Sequence, residues 1–219
     1  MGSKVEKRCD MENVMGVYFM GIGIIIPSDC PDEQLFRLID QLNAREDIRV
    51  LVVDDGCEGD IVYSRILSQI GERGCTVLHH RHRLGKGAAI KTGIEYVTGH
   101  CPEVTGIVTA DEDGQFPAED IFKVCDQLEQ EKEGIILGTR NLKHHQEPYL
   151  IRLKNLMLSL YFRMSTGIAC SDVYSSLRGI PRKYFDLALS VDGDGRDFGP
   201  LFLEKAVKGR IPIVFLPSH

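Results

Sequence analysis

The 219-residue sequence lacks several features that would assign it to a broad class of proteins. It has no excess of positive charge: 26 basic residues face 32 acidic ones, which argues against a protein that coats nucleic acid. Its longest uncharged stretch, Asn13 to Ser28, is shorter than the roughly 20 residues of a membrane-spanning helix. Its seven cysteines are scattered and form no Cys-x-x-Cys motif, which disfavours disulfides or a zinc site. These absences predict a cytoplasmic protein with free thiols.

What the sequence does contain is a regular alternation of apolar runs with segments whose apolar residues recur at helical spacing. The predicted strands are Gly21–Ile26, Val50–Val53, Thr76–His79, Thr105–Ala110 and Ile135–Leu137. The helices predicted between them are Asp32–Leu42, Ile61–Ile70, Ala88–Val97 and Ala118–Leu128. Continuous apolar strands alternating with helices predict an α/β fold with an open, mostly parallel sheet and helices on both faces. Ligands are then expected beyond the carboxyl ends of the strands.

The sequence changes character from about residue 149. A helix with mixed basic and apolar residues is predicted over 150–164, and a Gly/Ser-rich stretch follows it. A last helix and the strand Ile211–Leu216 end the chain. No repeat or linker separates this part, so we expect a variable leader over 1–20 and a single domain over 21–219, divided into parts 21–148 and 149–219. The helix over 150–164 could contact a membrane surface or pack over the sheet.

Three of the predicted strands end in polar turns, namely Pro27-Ser28-Asp29, Asp54-Asp55-Gly56 and Asp111-Glu112-Asp113. Because the carboxyl ends of parallel strands lie at one edge of a sheet, these turns are expected to meet there. Asp54-Asp55-Gly56 alone is an ordinary turn, but its position at the end of an inner strand indicates a ligand role.

The segment from Asp111 to Gln115 carries the strongest chemical signal. Three consecutive carboxylates repel one another, and a divalent cation such as Mg²⁺ or Mn²⁺ would relieve that repulsion because it prefers hard oxygen ligands. In extended chain Asp111 and Asp113 point the same way and Glu112 points elsewhere. The alternatives are an exposed acidic turn, in which Gly114 supplies a positive φ, or part of a calcium loop.

Two basic segments have less specific interpretations. Lys86 stands between two glycines and could reach a phosphate, or it could be a solvated lysine. The surrounding sequence does not fit a P-loop, since His80 and Gly87 occupy positions that require Gly and Ser or Thr. The run His79–Arg83 is interpreted as a solvated basic face rather than a metal site.

The ordered set of motifs resembles the family 2 glycosyltransferases of GT-A fold, and within them the dolichyl-phosphate mannose synthase-like branch. The resemblance covers about residues 21–180. It rests on the following segments: Ile24-Ile25-Ile26-Pro27, Val52-Val53-Asp54-Asp55-Gly56, Gly85-Lys86-Gly87-Ala88-Ala89, Asp111-Glu112-Asp113-Gly114-Gln115, Gly138-Thr139-Arg140, and Asp172 to Arg178.

This resemblance implies a role for each matching residue. The residues implied to bind the nucleotide-sugar are Pro27, Asp29, Asp54, Asp55, Lys86 and Asp111. The residues implied to hold a divalent ion at the donor diphosphate are Asp111, Asp113 and Gln115. Arg140 could contact a phosphate of donor or acceptor, and Asp172 is implied to lie near the acceptor, so these two are the candidate catalytic residues. Part 21–148 would then bind the nucleotide-sugar and metal, and part 149–219 would serve the acceptor.

The implied activity is metal-dependent transfer of a sugar from a UDP- or GDP-sugar to an acceptor, either a polyprenyl phosphate or a glycan, with inversion. The implied location is the cytoplasm, with peripheral contact at the inner face of the membrane. The sequence departs from the family pattern at Cys30-Pro31, Cys57, Arg83 and Ser176-Leu177. Two alternatives to the implied activity stay open. One is a non-catalytic nucleotide-sugar-binding module or inactive homologue, and the other is a pyrophosphorylase-like nucleotidyltransferase.

Overall fold

The computed structural model of the chain describes residues 21–29, 31–56, 61–140 and 172–218, together with isolated positions between 157 and 170. The predicted leader over 1–20, the departures at Cys30 and Cys57, and most of the helix predicted over 150–164 lie outside the described residues.

The described chain alternates strands and helices through most of its length. In chain order the elements are β1 (Gly21–Ser28), α1 (Glu33–Leu42), β2 (Ile48–Asp54), α2 (Ile61–Glu72), β3 (Thr76–His79), α3 (Lys86–His100), β4 (Val104–Thr109), α4 (Ala118–Gln130), β5 (Ile135–Thr139), β6 (Arg178–Pro181), a 3₁₀ turn (Arg182–Tyr184), α5 (Phe185–Leu189), α6 (Phe198–Lys208) and β7 (Ile213–Pro217).

The strands form one sheet in the order β3-β2-β1-β4-β6-β5-β7. All neighbouring strands pair in parallel except β6, which is antiparallel to both β4 and β5. β6 and β7 come from part 149–219, so both parts of the chain contribute strands to the same sheet. Because β6 runs in the opposite direction, its first residue, Arg178, lies beside Thr109 near the carboxyl end of β4.

The sheet is covered on both faces, as the apolar pattern predicts. All eight residues of β1 are buried. Ile24 packs on one face with the apolar side of α1, and Ile25 packs on the other face with Ile90 of α3. α1 begins where the Asp32 side chain accepts hydrogen bonds from the backbone N–H of residues 34 and 35, which caps the helix. Local capping and apolar spacing thus place α1 at Glu33–Leu42, within one residue of the predicted Asp32–Leu42.

The principal omission from the sequence prediction is β6. Its four residues, Arg-Gly-Ile-Pro, form a segment that is too short to show strand periodicity, and only its neighbours in the sheet define it.

The thiols of Cys75, Cys101, Cys125 and Cys170 are all buried, and burial raises the pKa of Cys125 to about 12, which keeps that thiol protonated. Among the described helices, none is both long and apolar enough to span a membrane.

Candidate functional site

A cleft of about 960 Å³ lies at the carboxyl edge of β2, β1 and β4. All three polar turns contribute to its walls, so the predicted convergence is confirmed. The volume lies within the range of about 300–1,000 Å³ that is typical of small-molecule sites. Its polar lining side chains are Ser28, Asp29, Asp55, Arg83, Lys86, Asp111, Glu112, Asp113, Gln115, Arg140, Tyr174, Arg178 and Arg196. Pro27, Phe198 and Gly199 contribute apolar and backbone surface to the same wall.

Asp55 is held firmly at the end of β2. One of its carboxylate oxygens accepts from the backbone N–H of Leu84 at 2.9 Å and lies 2.8 Å from Nδ1 of His80, and the other accepts from Gly85 N–H at 2.8 Å. His80 is itself buried, with its Nε2 2.9 Å from the Thr92 hydroxyl oxygen. The interpretation of this segment as a solvated basic face is therefore wrong for His80, which fixes the loop that presents Asp55.

Asp54 occupies a different place from its neighbour. It is 2% exposed, its carboxylate lies 3.0 Å from Nδ1 of His79, and it is not among the residues that line the cleft. Two successive Asp–His pairs thus join the ends of β2 and β3, but only Asp55 reaches the cleft wall.

The three carboxylates that follow β4 each face a different partner, which separates their charges. Asp111 forms an ion pair with Lys86, the first residue of α3. Glu112 accepts a hydrogen bond from the Ser28 hydroxyl and another from Asp29 N–H at 3.1 Å, which ties this turn to the end of β1. Asp113 is exposed and accepts from Gln115, through its backbone N–H at 3.1 Å and its side-chain amide at 2.7 Å.

The oxygen ligands at this turn fit a divalent ion whose coordination shell is completed by the substrate, rather than an ion enclosed by protein side chains. Within the described part of the chain, no three His, Cys, Asp or Glu residues are grouped so that they could hold a metal ion. Asp113 and Gln115 nevertheless present hard oxygen donors at the cleft wall. Mg²⁺ is commonly bound through one or two carboxylates and takes its remaining ligands from water and substrate phosphates.

Arg140, directly after β5, is anchored by Asp172. Asp172 is completely buried, and its two carboxylate oxygens accept from Nε and Nη2 of Arg140 at 2.8 and 2.9 Å. The Nη1 of the same guanidinium donates to the Gln115 side-chain oxygen at 2.8 Å. A continuous chain of hydrogen bonds therefore runs from Asp172 through Arg140 and Gln115 to Asp113. Asp172 supports the cleft from behind, while Arg140 forms part of the wall.

Arg178 is a cleft residue to which the sequence pattern assigned no role. It is 3% exposed and donates from Nη2 to the backbone oxygen of Val173 at 3.1 Å. Burial lowers its pKa to about 10, so it is still charged at neutral pH. The only sequence signal was its place at the end of the segment that starts at Asp172, because its position depends on the antiparallel direction of β6.

The glycines on either side of Lys86 have a packing role. The backbone of residues 193–195 crosses the first turn of α3, where Ala88 N–H donates to the backbone oxygen of Asp194 at 3.0 Å. A Cβ on Gly87 would lie 2.7 Å from the backbone oxygen of Gly193 and 2.7 Å from Cβ of Phe198. Lys91 adds an ion pair with Asp194 at 2.7 Å. The close approach of residues 193–195 to α3 explains why glycine occupies these positions. A phosphate-binding role of the glycines is not needed to explain them.

We expect Gly87→Ala to destabilise the protein by about 1–3 kcal/mol, because the added methyl group meets backbone that cannot move without lifting the 193–195 segment. Gly99→Ala, in the same helix, is the matched control: apart from its chain neighbours and the backbone of its own helix, no atom of the described residues lies within 4 Å of its added Cβ. That substitution should stabilise by up to about 1 kcal/mol through helix propensity. Urea unfolding midpoints measure both effects, and equal midpoints for the two variants would contradict the packing role.

Comparison with models of known protein families identifies the family of this chain. The model of glycosyl transferase family 2 matches residues 32–187, more than half of the chain. The chain belongs to this family.

Curated relatives agree with the assignment. The chain is 28% identical over 176 residues to an undecaprenyl-phosphate 4-deoxy-4-formamido-L-arabinose transferase of Pseudomonas fluorescens (strain Pf0-1), which covers 77% of the chain and 49% of that relative. It is 25% identical over 177 residues to an uncharacterized protein of Methanocaldococcus jannaschii, which covers 79% of the chain and 68% of that relative. The chain thus spans about half the length of the transferase it matches.

Solved structures confirm the GT-A fold. The glucosyl-3-phosphoglycerate synthase of Mycobacterium tuberculosis, determined with Mg²⁺ and uridine diphosphate, matches with a TM-score of 0.64 at 15% identity over 91% of this chain and 69% of that one. The mannosyl-3-phosphoglycerate synthase of Rubrobacter xylanophilus matches with a TM-score of 0.61 at 13% identity over 90% of this chain and 65% of that one. The predictions of family and fold from the motifs are therefore confirmed.

Proposed function

We propose that this family 2 protein transfers a sugar from a UDP- or GDP-sugar to a phosphate-bearing acceptor of the polyprenyl phosphate type, with inversion at the anomeric carbon. The observation that carries the proposal is that one cleft brings the acidic strand ends together with the guanidinium groups of Arg140 and Arg178. The undecaprenyl-phosphate named for the matched relative supports this acceptor class.

The donor is proposed to lie along the ends of β2, β1 and β4. Pro27 and Asp55 would form the wall beside the base, with Asp29 and its ion-pair partner Arg83 at the rim. Asp54 would contribute from behind the wall through its pair with His79. Lys86 is placed where its ammonium group could exchange its contact with Asp111 for one with a diphosphate oxygen.

A divalent ion, Mg²⁺ or Mn²⁺, would be held by Asp113 and Gln115, with Asp111 next to them. When bound, it would neutralise charge that develops on the departing nucleoside diphosphate. The chain's own residues orient the carboxylate of Asp113. The Gln115 side-chain oxygen accepts from Arg140 at 2.8 Å, and the Gln115 side-chain amide in turn donates to Asp113 at 2.7 Å. Relatives with solved structures that contain Mg²⁺ or Mn²⁺ together with uridine diphosphate support this proposal.

The acceptor side favours a nucleophile that is already ionised. Both oxygens of Asp172 are engaged by Arg140, so Asp172 serves to position that guanidinium rather than to remove a proton. A phosphate oxygen needs no general base, whereas a sugar hydroxyl does. In the proposed displacement an acceptor phosphate oxygen forms a bond to the anomeric carbon while the bond to the nucleoside diphosphate breaks, and Arg140 offsets negative charge at the cleft.

A lipid acceptor implies contact with a membrane at its cytoplasmic face. Three apolar side chains in the predicted basic-apolar helix support this part of the proposal: Met157, Leu160 and Met164 are 65%, 56% and 79% exposed. Their spacing of three and four residues places them on one side of a helix. Sedimentation with vesicles that contain anionic lipid tests the contact, and a protein that stays entirely in the supernatant would count against it.

The proposed function is tested by adding UDP, GDP and their sugar conjugates, with and without Mn²⁺, and measuring the thermal unfolding midpoint. We expect one nucleotide to stabilise the protein only when the metal is present, since a ligand that binds the native state raises its stability. Transfer to a short-chain polyprenyl phosphate is then followed with the matching donor. Nucleotide binding without release of sugar would indicate a binding module, and formation of pyrophosphate from a nucleoside triphosphate and a sugar phosphate would indicate a nucleotidyltransferase.

A further inference from the structure

Arg178 combines deep burial with incomplete hydrogen bonding. The side chain is 3% exposed, yet among the described residues its Nε has no hydrogen-bond partner. The contact from Nη2 to the Val173 backbone oxygen satisfies one of its five N–H groups. A buried guanidinium without full pairing is costly, because it has given up its hydration without replacing it.

The carboxylates near Arg178 are committed to other cations. Asp172 makes a two-point contact with Arg140, and Asp111 is paired with Lys86. Both carboxylates act on Arg178 only through space, since in the described part of the chain its guanidinium donates no hydrogen bond to either of them. The charge of Arg178 is therefore offset only at a distance, and none of the described carboxylates is its direct hydrogen-bond partner.

The first turn of α6 faces the same guanidinium. A Cβ on Gly199 would lie 2.3 Å from Nη2 and 2.7 Å from both Cζ and Nη1 of Arg178, so the guanidinium packs against this turn. The helix has 11 residues, and its N-terminal end carries partial positive charge from the aligned peptide dipoles. Two features of the same sign are therefore in contact, and the carboxylate of the N-cap residue Asp197 accepts from Gly195 N–H at 3.1 Å rather than capping the helix.

The position of Arg178 and Gly199 in the cleft indicates which kind of anion they would bind. The cleft is lined by Arg178, Phe198 and Gly199. Arg178 lies beside Thr109, at the carboxyl end of β4. We propose that Arg178, packed against Gly199 at the start of α6, forms an oxyanion site that binds a phosphate group. This assignment rests on the proposed function for the identity of the phosphate, which is either the diphosphate of the donor or the phosphate of the acceptor.

The test compares Arg178→Met with wild type, and Arg37→Met is the matched control because it removes one arginine charge from the exposed face of α1. Isothermal titration is carried out with inorganic pyrophosphate, UDP, GDP and farnesyl phosphate, in the presence of Mn²⁺. Loss of a desolvated charged contact is expected to weaken binding by about tenfold or more for at least one of these probes. Weaker binding of pyrophosphate and nucleotide identifies the donor phosphates, and weaker binding of farnesyl phosphate alone identifies the acceptor phosphate.

The fold is expected to survive, and Arg178→Met should unfold at the same temperature as wild type or higher, because it removes a buried charge that lacks a direct partner. If this variant does not fold, Gly199→Ala decides the question: its methyl group displaces the guanidinium without removing the charge, and the same loss of affinity is expected. Affinities within twofold of wild type for every probe, in whichever of these variants folds, overturn the proposal.

The outcome is separable from that of the proposed function. Pyrophosphate binding that depends on Arg178 would support the anion site even if no sugar transfer were ever detected. Sugar transfer that proceeds with unchanged affinities in Arg178→Met would support the proposed function and overturn the site.

Discussion

Asp113→Asn should abolish the metal-dependent part of nucleotide binding while the protein keeps its fold. Asp113 is exposed, and its hydrogen bonds are made with Gln115 in its own turn, so little packing depends on it. Its carboxylate is proposed to supply the charge that holds the divalent ion. Without it, we expect the rate of sugar transfer to fall by about 100-fold or more, the size of effect seen when one stabilising contact at a developing charge is lost. The midpoint shift produced by nucleotide and Mn²⁺ measures the binding part.

The control for this prediction is Glu119→Gln, which removes one exposed carboxylate from the first turn of α4. It lies six positions further along the chain and does not line the cleft. We expect the metal-dependent shift of this variant to match that of wild type. A full shift in Asp113→Asn would remove that residue from the metal site, and a reduced shift in both variants would indicate a general effect of charge.

Much of this arrangement could be predicted from the sequence, because it follows from local patterns. The run Gly21–Ile26 of β1 has no polar side chain, as expected for a central strand buried on both faces, and β1 pairs with β2 and β4. The turn after each of these strands is then brought to one edge by parallel pairing alone. Asp55 and Asp111 could be assigned to the same cleft although they are 56 positions apart in the printed sequence.

The hydrogen-bond partners of these side chains could not be predicted, because they depend on loops that fold back from other parts of the chain. His80 follows a short strand with mixed burial, and nothing in the local pattern shows that its ring turns inward to Asp55. The contact between Gly87 and residues 193–195 joins segments about a hundred positions apart. The position of Arg178 in the cleft could not be predicted either, since it depends on the antiparallel direction of β6.

The departure from the family pattern at Ser176-Leu177 concerns the core rather than the cleft. Leu177 is completely buried, and a Cβ on Gly138 would lie 2.6 Å from its side chain. The backbone oxygen of Ser176 accepts from the hydroxyl of Thr109. Both residues are buried, and neither is among the residues that line the cleft. The departure at Arg83 is different, because that side chain lines the cleft and pairs with Asp29.

The largest effect on stability is expected from Arg140→Met. This change leaves the carboxylate of Asp172 completely buried without its two-point partner. Removing one member of a buried ion pair typically costs about 3–5 kcal/mol, far more than the pair contributes when intact. Urea unfolding measures the loss. As a control, Arg37→Met breaks an exposed pair with Glu33 and should cost less than about 1 kcal/mol.

A double variant separates the structural role of this pair from its role in the reaction. Replacing both partners, as Arg140→Met with Asp172→Leu, removes the unpaired charge and should recover most of the lost stability, because apolar groups of similar size often replace a buried ion pair without penalty. Sugar transfer should not recover, since the guanidinium that holds Gln115 and lines the cleft is gone. Recovery of both properties would show that Arg140 serves only to balance Asp172. An unfolding free energy that is unchanged in Arg140→Met alone would mean that Asp172 is compensated elsewhere, and the anchoring role assigned to the pair would then be wrong.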